Sequence, residues 1–204
     1  VFIPAMLNED NGMTRDNHIS RAKEVVGVVH GMCQLHKGHL YNVVDGRVLI
    51  SINAAVTASQ IASRAGALAV CLIDDLKKKL SVTATAGVAV GQSIVGTIGA
   101  GEGNHASSYH TIVGTAESRA RLFERCARHY GVPVMAHGQI EDEVATAALT
   151  LSVDLVALPA GDGEPRATAN VQRLVAVLQT HADDHDDDEW MYTLSNGNVY
   201  RAVS

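Results

Sequence analysis

The sequence predicts an α+β fold, a βαββαβ sandwich with helices on one face of a mainly antiparallel sheet and C-terminal additions. Three observations predict it. Apolar residues recur at spacings of three and four across residues 19–33 and again across 61–76, which marks two long helices. Short apolar runs of strand length stand before, between and after these helices. The runs 39–44 and 47–53 flank Asp45-Gly46, a two-residue connection that signals a hairpin.

Each element follows in order. Residues 1–6 are a short apolar run read as a first strand, and 7–12 a loop rich in Asn, Asp and Gly. Thr14 or Asp16 caps a helix running to about Leu35, with Ile19, Ala22, Val25, Val26, Val29, Met32 and Cys33 as its apolar stripe. Gly38 stops it. After the hairpin, residues 57–80 are a second, Ala-rich helix with Ile61, Ala65, Leu68, Leu72 and Leu76 inward. Its end, Lys77-Lys78-Lys79, suits the negative pole of the helix dipole. Runs 82–90 and 93–98 are expected to pair around Gly91-Gln92, and 109–113 to form or approach a strand. A third helix covers 116–130, a strand 133–136, a short helix 139–149 opening with three acids, and a strand 152–158. Residues 167–179 are read as a helix, 182–189 as an Asp-rich linker, and 190–194 with 199–203 as a terminal hairpin around Asn196-Gly197.

Composition narrows the function classes. Of 204 residues 47% are hydrophobic and 19% charged, which fills a core and is too little charge for a disordered chain. No apolar run approaches the ~20 residues of a membrane helix. The net charge of -6 and the lack of a basic stripe argue against a nucleic-acid partner. Cys33, Cys71 and Cys126 are far apart, with no CxxC pair, and read as buried thiols of a cytoplasmic protein. The opening Val-Phe-Ile, without Met or a signal-peptide pattern, reads as a fragment of a longer protein anchored elsewhere or not at all.

The most informative stretch is 87–134, GVAVGQSIVGTIGAGEGNHASSYHTIVGTAESRARLFERCARHYGVPV. It resembles the second half of a class III nucleotidyl cyclase catalytic domain, whose members show GIxxG, a VGxxG hairpin, YTVIGDxVNxAxRL and YGVPI. Aligned without a gap from Gly114, the chain gives G-T-A-E-S-R-A-R-L-F and then Tyr130, Gly131, Val132 and Pro133 in register. The resemblance implies the ferredoxin-like cyclase fold over residues 1–158, the cyclase homology domain. Residues 159–204 are then a C-terminal extension of helix, acidic linker and terminal hairpin, packing on the same domain.

In that family two aspartates hold two metal ions that neutralise a triphosphate. A partner domain supplies an asparagine and an arginine that meet the transition-state charge. By the resemblance, Ala5 or a close neighbour takes the place of the first metal aspartate in LFADIxGFT. At KxxGD, Asn42 replaces the base-reading lysine and the Gly-Asp pair is inverted. Gly46 then stands at the metal position, with Asp45 one step early and, in a strand, on the other face. Thr115 replaces the base-selecting aspartate, Ser118 the asparagine and Leu122 the arginine. Arg121 is adjacent, but one helical residue is a rotation of about 100°.

Other signals have plain readings. Gly99 to Gly103 lacks the Lys-Ser/Thr of a phosphate loop and reads as a hairpin loop. The run of His181, Asp183, Asp184, His185 and Asp186 to Asp188 reads as a solvated linker. His105, His110, His129 and His137 have no ligand partners at metal spacing. Arg119, Arg121, Arg125 and Arg128 read as a solvated face pairing Glu117 and Glu124.

The resulting expectation is a pseudoenzyme: a non-catalytic homology domain serving dimerisation, regulation or scaffolding in a signalling protein. No catalytic residue, metal or cofactor is expected, with Asp45 and Arg121 as vestiges of a nucleotide groove. The partner is a second cyclase-type domain, in a homodimer or heterodimer, or another protein of the multidomain parent. Two alternatives stand beside it: a divergent active cyclase using Mg or Mn and Asp45, and a nucleotide sensor without turnover.

Overall fold

The computed structural model of the chain describes residues 2–4, 15–44, 46–100, 107–158 and 170–181. The elements are β1 (Phe2–Pro4), α1 (Arg15–His36), β2 (Gly38–Val44), β3 (Arg47–Ile52), α2 (Ile61–Leu80), β4 (Ala86–Val88), β5 (Ser93–Ala100) and β6 (Ser107–Gly114). There follow α3 (Thr115–Tyr130), β7 (Val134–His137), a 3-10 turn (Gly138–Ile140), α4 (Glu141–Val144), β8 (Ala148–Leu158) and β9 (Asn170–Thr180). Seven strands form one sheet in the order β2-β3-β1-β4-β7-β9-β8, and β5 pairs with β6 apart from it. The sheet is antiparallel except between β4 and β7.

The βαββαβ core and the first hairpin are as expected. Val44 pairs with Arg47, and Gly46 in the turn between these strands takes φ 69°. That backbone region favours glycine and matches the twist of the flanking strands. On α2, Ala65, Leu68, Leu72 and Leu76 are buried as the spacing requires. Its first turn has no side-chain cap of its own. Glu143 of α4 supplies one, its Oε1 accepting from the Ala62 N–H at 3.0 Å.

The helices lie on both faces of the sheet, a departure from the one-face expectation. Strand alternation decides this. On β7, Val134 and Ala136 join Val25, Val29 and Cys33 of α1 and Leu68 and Leu72 of α2 in one cluster. Met135 packs instead with Phe123 and Ala127 of α3, together with Leu174 and Ala176 of β9. On β4, Ala86 and Val88 serve the first layer, and Gly87 faces α3. A Cβ on Gly87 would stand 1.9 Å from the Ala120 carbonyl oxygen and 2.4 Å from the Glu124 nitrogen. Only glycine lets α3 sit this close.

Three further expectations are corrected. Residues 82–90 and 93–98 do not pair: β4 is buried between β1 and β7, and β5 pairs with β6 over eight positions from Ser93–Gly114 to Ala100–Ser107. Residues 167–179 hold no helix among the described positions; Asn170–Thr180 is a strand between β7 and β8. Its run Leu174 to Val177 is buried throughout because both faces are covered, and such a run carries no period to separate strand from helix. The helix after Gln139 ends at Val144, and β8 begins at Ala148, paired to Thr180. The acidic linker from Ala182 and the terminal hairpin lie outside the described residues. Cys33 is buried as expected, whereas Cys71 and Cys126 are half-buried. No helix among the described residues is long and apolar enough to cross a membrane.

Candidate functional site

The structure places the sequence-predicted positions as follows. Ala5 and Asp45 lie outside the described residues. Asn42 is exposed on β2, opposite Leu49 beside a bulge, and Gly46 is in the turn. Thr115, Ser118 and Leu122 fall at spacings of three and four on α3, hence on one stripe of it. Thr115 and Ser118 are exposed, and the Ser118 hydroxyl donates to the Thr115 carbonyl at 3.0 Å. Leu122 is half-buried and packs against the cluster of Phe123, Met135 and Leu174. Arg121 turns to its own helix: its Nε and Nη2 both donate to Glu117 Oε1, at 3.0 and 2.6 Å.

Arg128 also follows the expected pairing, with one difference. Arg128 donates to both carboxylate oxygens of Glu124, at 3.2 and 2.9 Å. Glu124 is no solvated residue, however; it is 1% exposed and also accepts from the Thr85 hydroxyl at 2.9 Å. This carboxylate fastens α3 to the approach of β4, and a buried charge requires such partners.

A groove of about 330 Å³ runs between β3 and its outgoing loop, the start of α2, the segment after β4, the β5–β6 hairpin and the start of α3. Its wall is largely aliphatic. Glu117 is the one charged residue among the described residues that line it. The hairpin is tied to β2 by Tyr41, whose hydroxyl oxygen accepts from the Ile112 N–H at 2.8 Å.

The groups with displaced pKa values lie away from the groove. Burial pushes the Cys33 thiol up to about 11, and the Cys126 thiol upward. Burial, then the Arg64 charge, lowers His36. The hydrogen bond from Tyr130 to Asp154 raises Tyr130 to about 12, with burial adding to it, and holds Asp154 below the usual carboxylate value. None of these five lines the groove. Among the described residues no three or more His, Cys, Asp or Glu side chains converge as a metal site. Sequence reasoning did not find the groove, since its wall is assembled from five separate segments of ordinary aliphatic residues.

No family model and no curated protein matches the sequence. Solved structures do. The dimeric guanylyl cyclase domain of the RhoGC fusion protein from the aquatic fungus Blastocladiella emersonii aligns with TM-score 0.69 at 12% identity, over 88% of this chain and 94% of that one. The guanylate cyclase domain of RhGC from Catenaria anguillulae, in complex with GTP, gives 0.68 at 12%, again over 88% and 94%. The adenylyl cyclase CyaB from P. aeruginosa gives 0.67 at 12%, over 89% and 93%. The fold of this chain is therefore that of the class III adenylyl and guanylyl cyclase catalytic domains.

Proposed function

We propose that this domain is a non-catalytic nucleotidyl cyclase homology domain, a regulatory or dimerisation module of a larger cytoplasmic signalling protein. The observation that carries this is the state of α3. Leu122, at the position of the arginine, is drawn into the apolar cluster under α3, and neighbouring Arg121 is engaged by Glu117. Phosphoryl transfer needs a fixed cation where charge develops, and losing one preorganised donor costs about 3–4 kcal/mol of transition-state stabilisation. The replacement of the asparagine by Ser118 removes a second group. Asn42 and Gly46 supply neither a base-reading lysine nor a metal carboxylate. The partner proposed is a second cyclase-type domain, identical or different, in line with the dimeric domain this chain resembles.

The test is a turnover assay. Purified protein with Mn²⁺ and ATP or GTP is expected to form no cyclic nucleotide above the protein-free control. Cyclic product that disappears in Asp45→Ala would establish the divergent active cyclase. A melting point raised by nucleotide with metal, without turnover, would establish the sensor reading.

A further inference from the structure

The groove holds one feature that packing does not account for. Among the described residues, the Ser51 hydroxyl is the buried side-chain polar atom without a hydrogen-bond partner. Ser51 belongs to the groove wall. Buried hydroxyls are as a rule paired, and an unpaired one is destabilising. Alternation along β3 puts Ser51 on the side of Leu49, which packs against Ala120 of α3. The surrounding wall is mainly aliphatic, with Ile52, Val95, Ile112 and Ala116 among its residues, and its other uncharged polar residues are Asn53, Gln92 and Ser93. It contains no Lys, Arg or His among the described residues, and its lone carboxylate, on Glu117, is bound by Arg121.

We propose that this groove is a binding site for a compact, uncharged, mainly aliphatic molecule carrying one hydroxyl or amide group that bonds to Ser51. Charge complementarity selects a neutral ligand. An anion finds no cation in the wall, and a cation has to displace Arg121 from Glu117; burying either unpaired is costly. The volume lies at the small end of the range for ligand pockets, about 300–1,000 Å³, which calls for a compact molecule. A largely apolar wall with a few polar groups to fix orientation is the usual pattern of such sites. The site is built within one domain and stands whether or not a cyclic nucleotide is made, so the turnover assay does not bear on it.

The test follows Ile, Leu and Val methyl signals by NMR during titration with three matched probes: cyclohexanol, methylcyclohexane and cyclohexanecarboxylate. Cyclohexanol is expected to give saturable shifts at Leu49, Ile52, Val95 and Ile112. Cyclohexanecarboxylate should bind at least about tenfold more weakly. Ser51→Ala should fold with a melting point no lower than the parent, since it removes an orphaned hydroxyl. It should weaken cyclohexanol about two- to tenfold and leave methylcyclohexane unchanged. Ala116→Phe fills the groove from α3 and should abolish binding of both; should it fail to fold, Val95→Phe blocks the same space from the hairpin. The proposal is overturned by the absence of saturable shifts at these methyls. It is also overturned by carboxylate binding as tight as cyclohexanol, or by unchanged cyclohexanol affinity in Ser51→Ala.

Discussion

The Tyr41 hydroxyl oxygen accepts a hydrogen bond from the Ile112 backbone N–H at 2.8 Å, joining the edge strand β2 to the β5–β6 hairpin. The hairpin shares no ladder with the seven-stranded sheet, so a side chain has to make this link. Tyr41→Phe should therefore leave the fold intact and loosen the hairpin. The expected cost is about 0.5–1.5 kcal/mol, with faster hydrogen exchange at the Ile112 amide than at amides within β3. Unchanged exchange at Ile112 would contradict the role given to Tyr41.

Gly87 sets the distance between α3 and β4. Gly87→Ala drives a methyl group into backbone atoms of Ala120 and Glu124, which cannot move aside as a side chain can. The expected destabilisation is about 3 kcal/mol or more, read from denaturant midpoints. A neutral effect would mean that α3 is not held against β4 as described.

Glu124 is tested by two substitutions. Glu124→Ala strands the Thr85 hydroxyl and frees Arg128, with an expected loss of about 2–3 kcal/mol. Glu124→Gln retains an acceptor for Thr85 and should lose less. Equal losses in urea unfolding would assign the effect to the lost charge that pairs with Arg128 and not to the acceptor for Thr85.

Leu122→Arg restores the letter of the motif without restoring chemistry. Its methyl groups are part of the cluster with Phe123, Met135 and Leu174. Replacement should cost about 1–3 kcal/mol in stability and produce no cyclic nucleotide with Mn²⁺ and ATP or GTP. Turnover in this single variant would show that the rest of the apparatus is intact.

The Tyr130–Asp154 contact predicts a pH window. Tyr130 is raised in the folded state to about 12, so its contribution is complete below the unfolded value near 10 and is lost as pH climbs through 12. Asp154 is lowered, so its contribution is complete above the ordinary carboxylate value near 4 and is lost as pH falls through the folded value. The melting-point difference between the parent and Tyr130→Phe should be constant from about pH 5 to 9 and shrink on either side. A difference that does not vary with pH would refute the assignment.

Local patterns were legible where one face is buried and the other wet. The stripe of Val25, Val29 and Cys33 on α1, and that of Ala65, Leu68, Leu72 and Leu76 on α2, announced both helices. Asp45-Gly46 announced the first hairpin because few residues accept the backbone of Gly46. Strand β9 was illegible for the converse reason: Leu174 to Val177 is covered on both faces, and its apolar run has no period. The three acids of the segment after Gln139 were seen, but not that Glu143 caps α2 and Glu141 pairs with Arg173.

The sequence by itself determined the class of fold, the frame of α3 and the identity of Thr115, Ser118 and Leu122 on its stripe, because helix period and turn chemistry are local. Tertiary structure alone decided that α3 lies opposite α1 and α2, that β9 enters the sheet between β7 and β8, and that Ser51, Ala116 and Ile112 share one groove. Those outcomes depend on contacts between segments far apart in the chain, fixed by close packing around residues such as Gly87, and no local period encodes them.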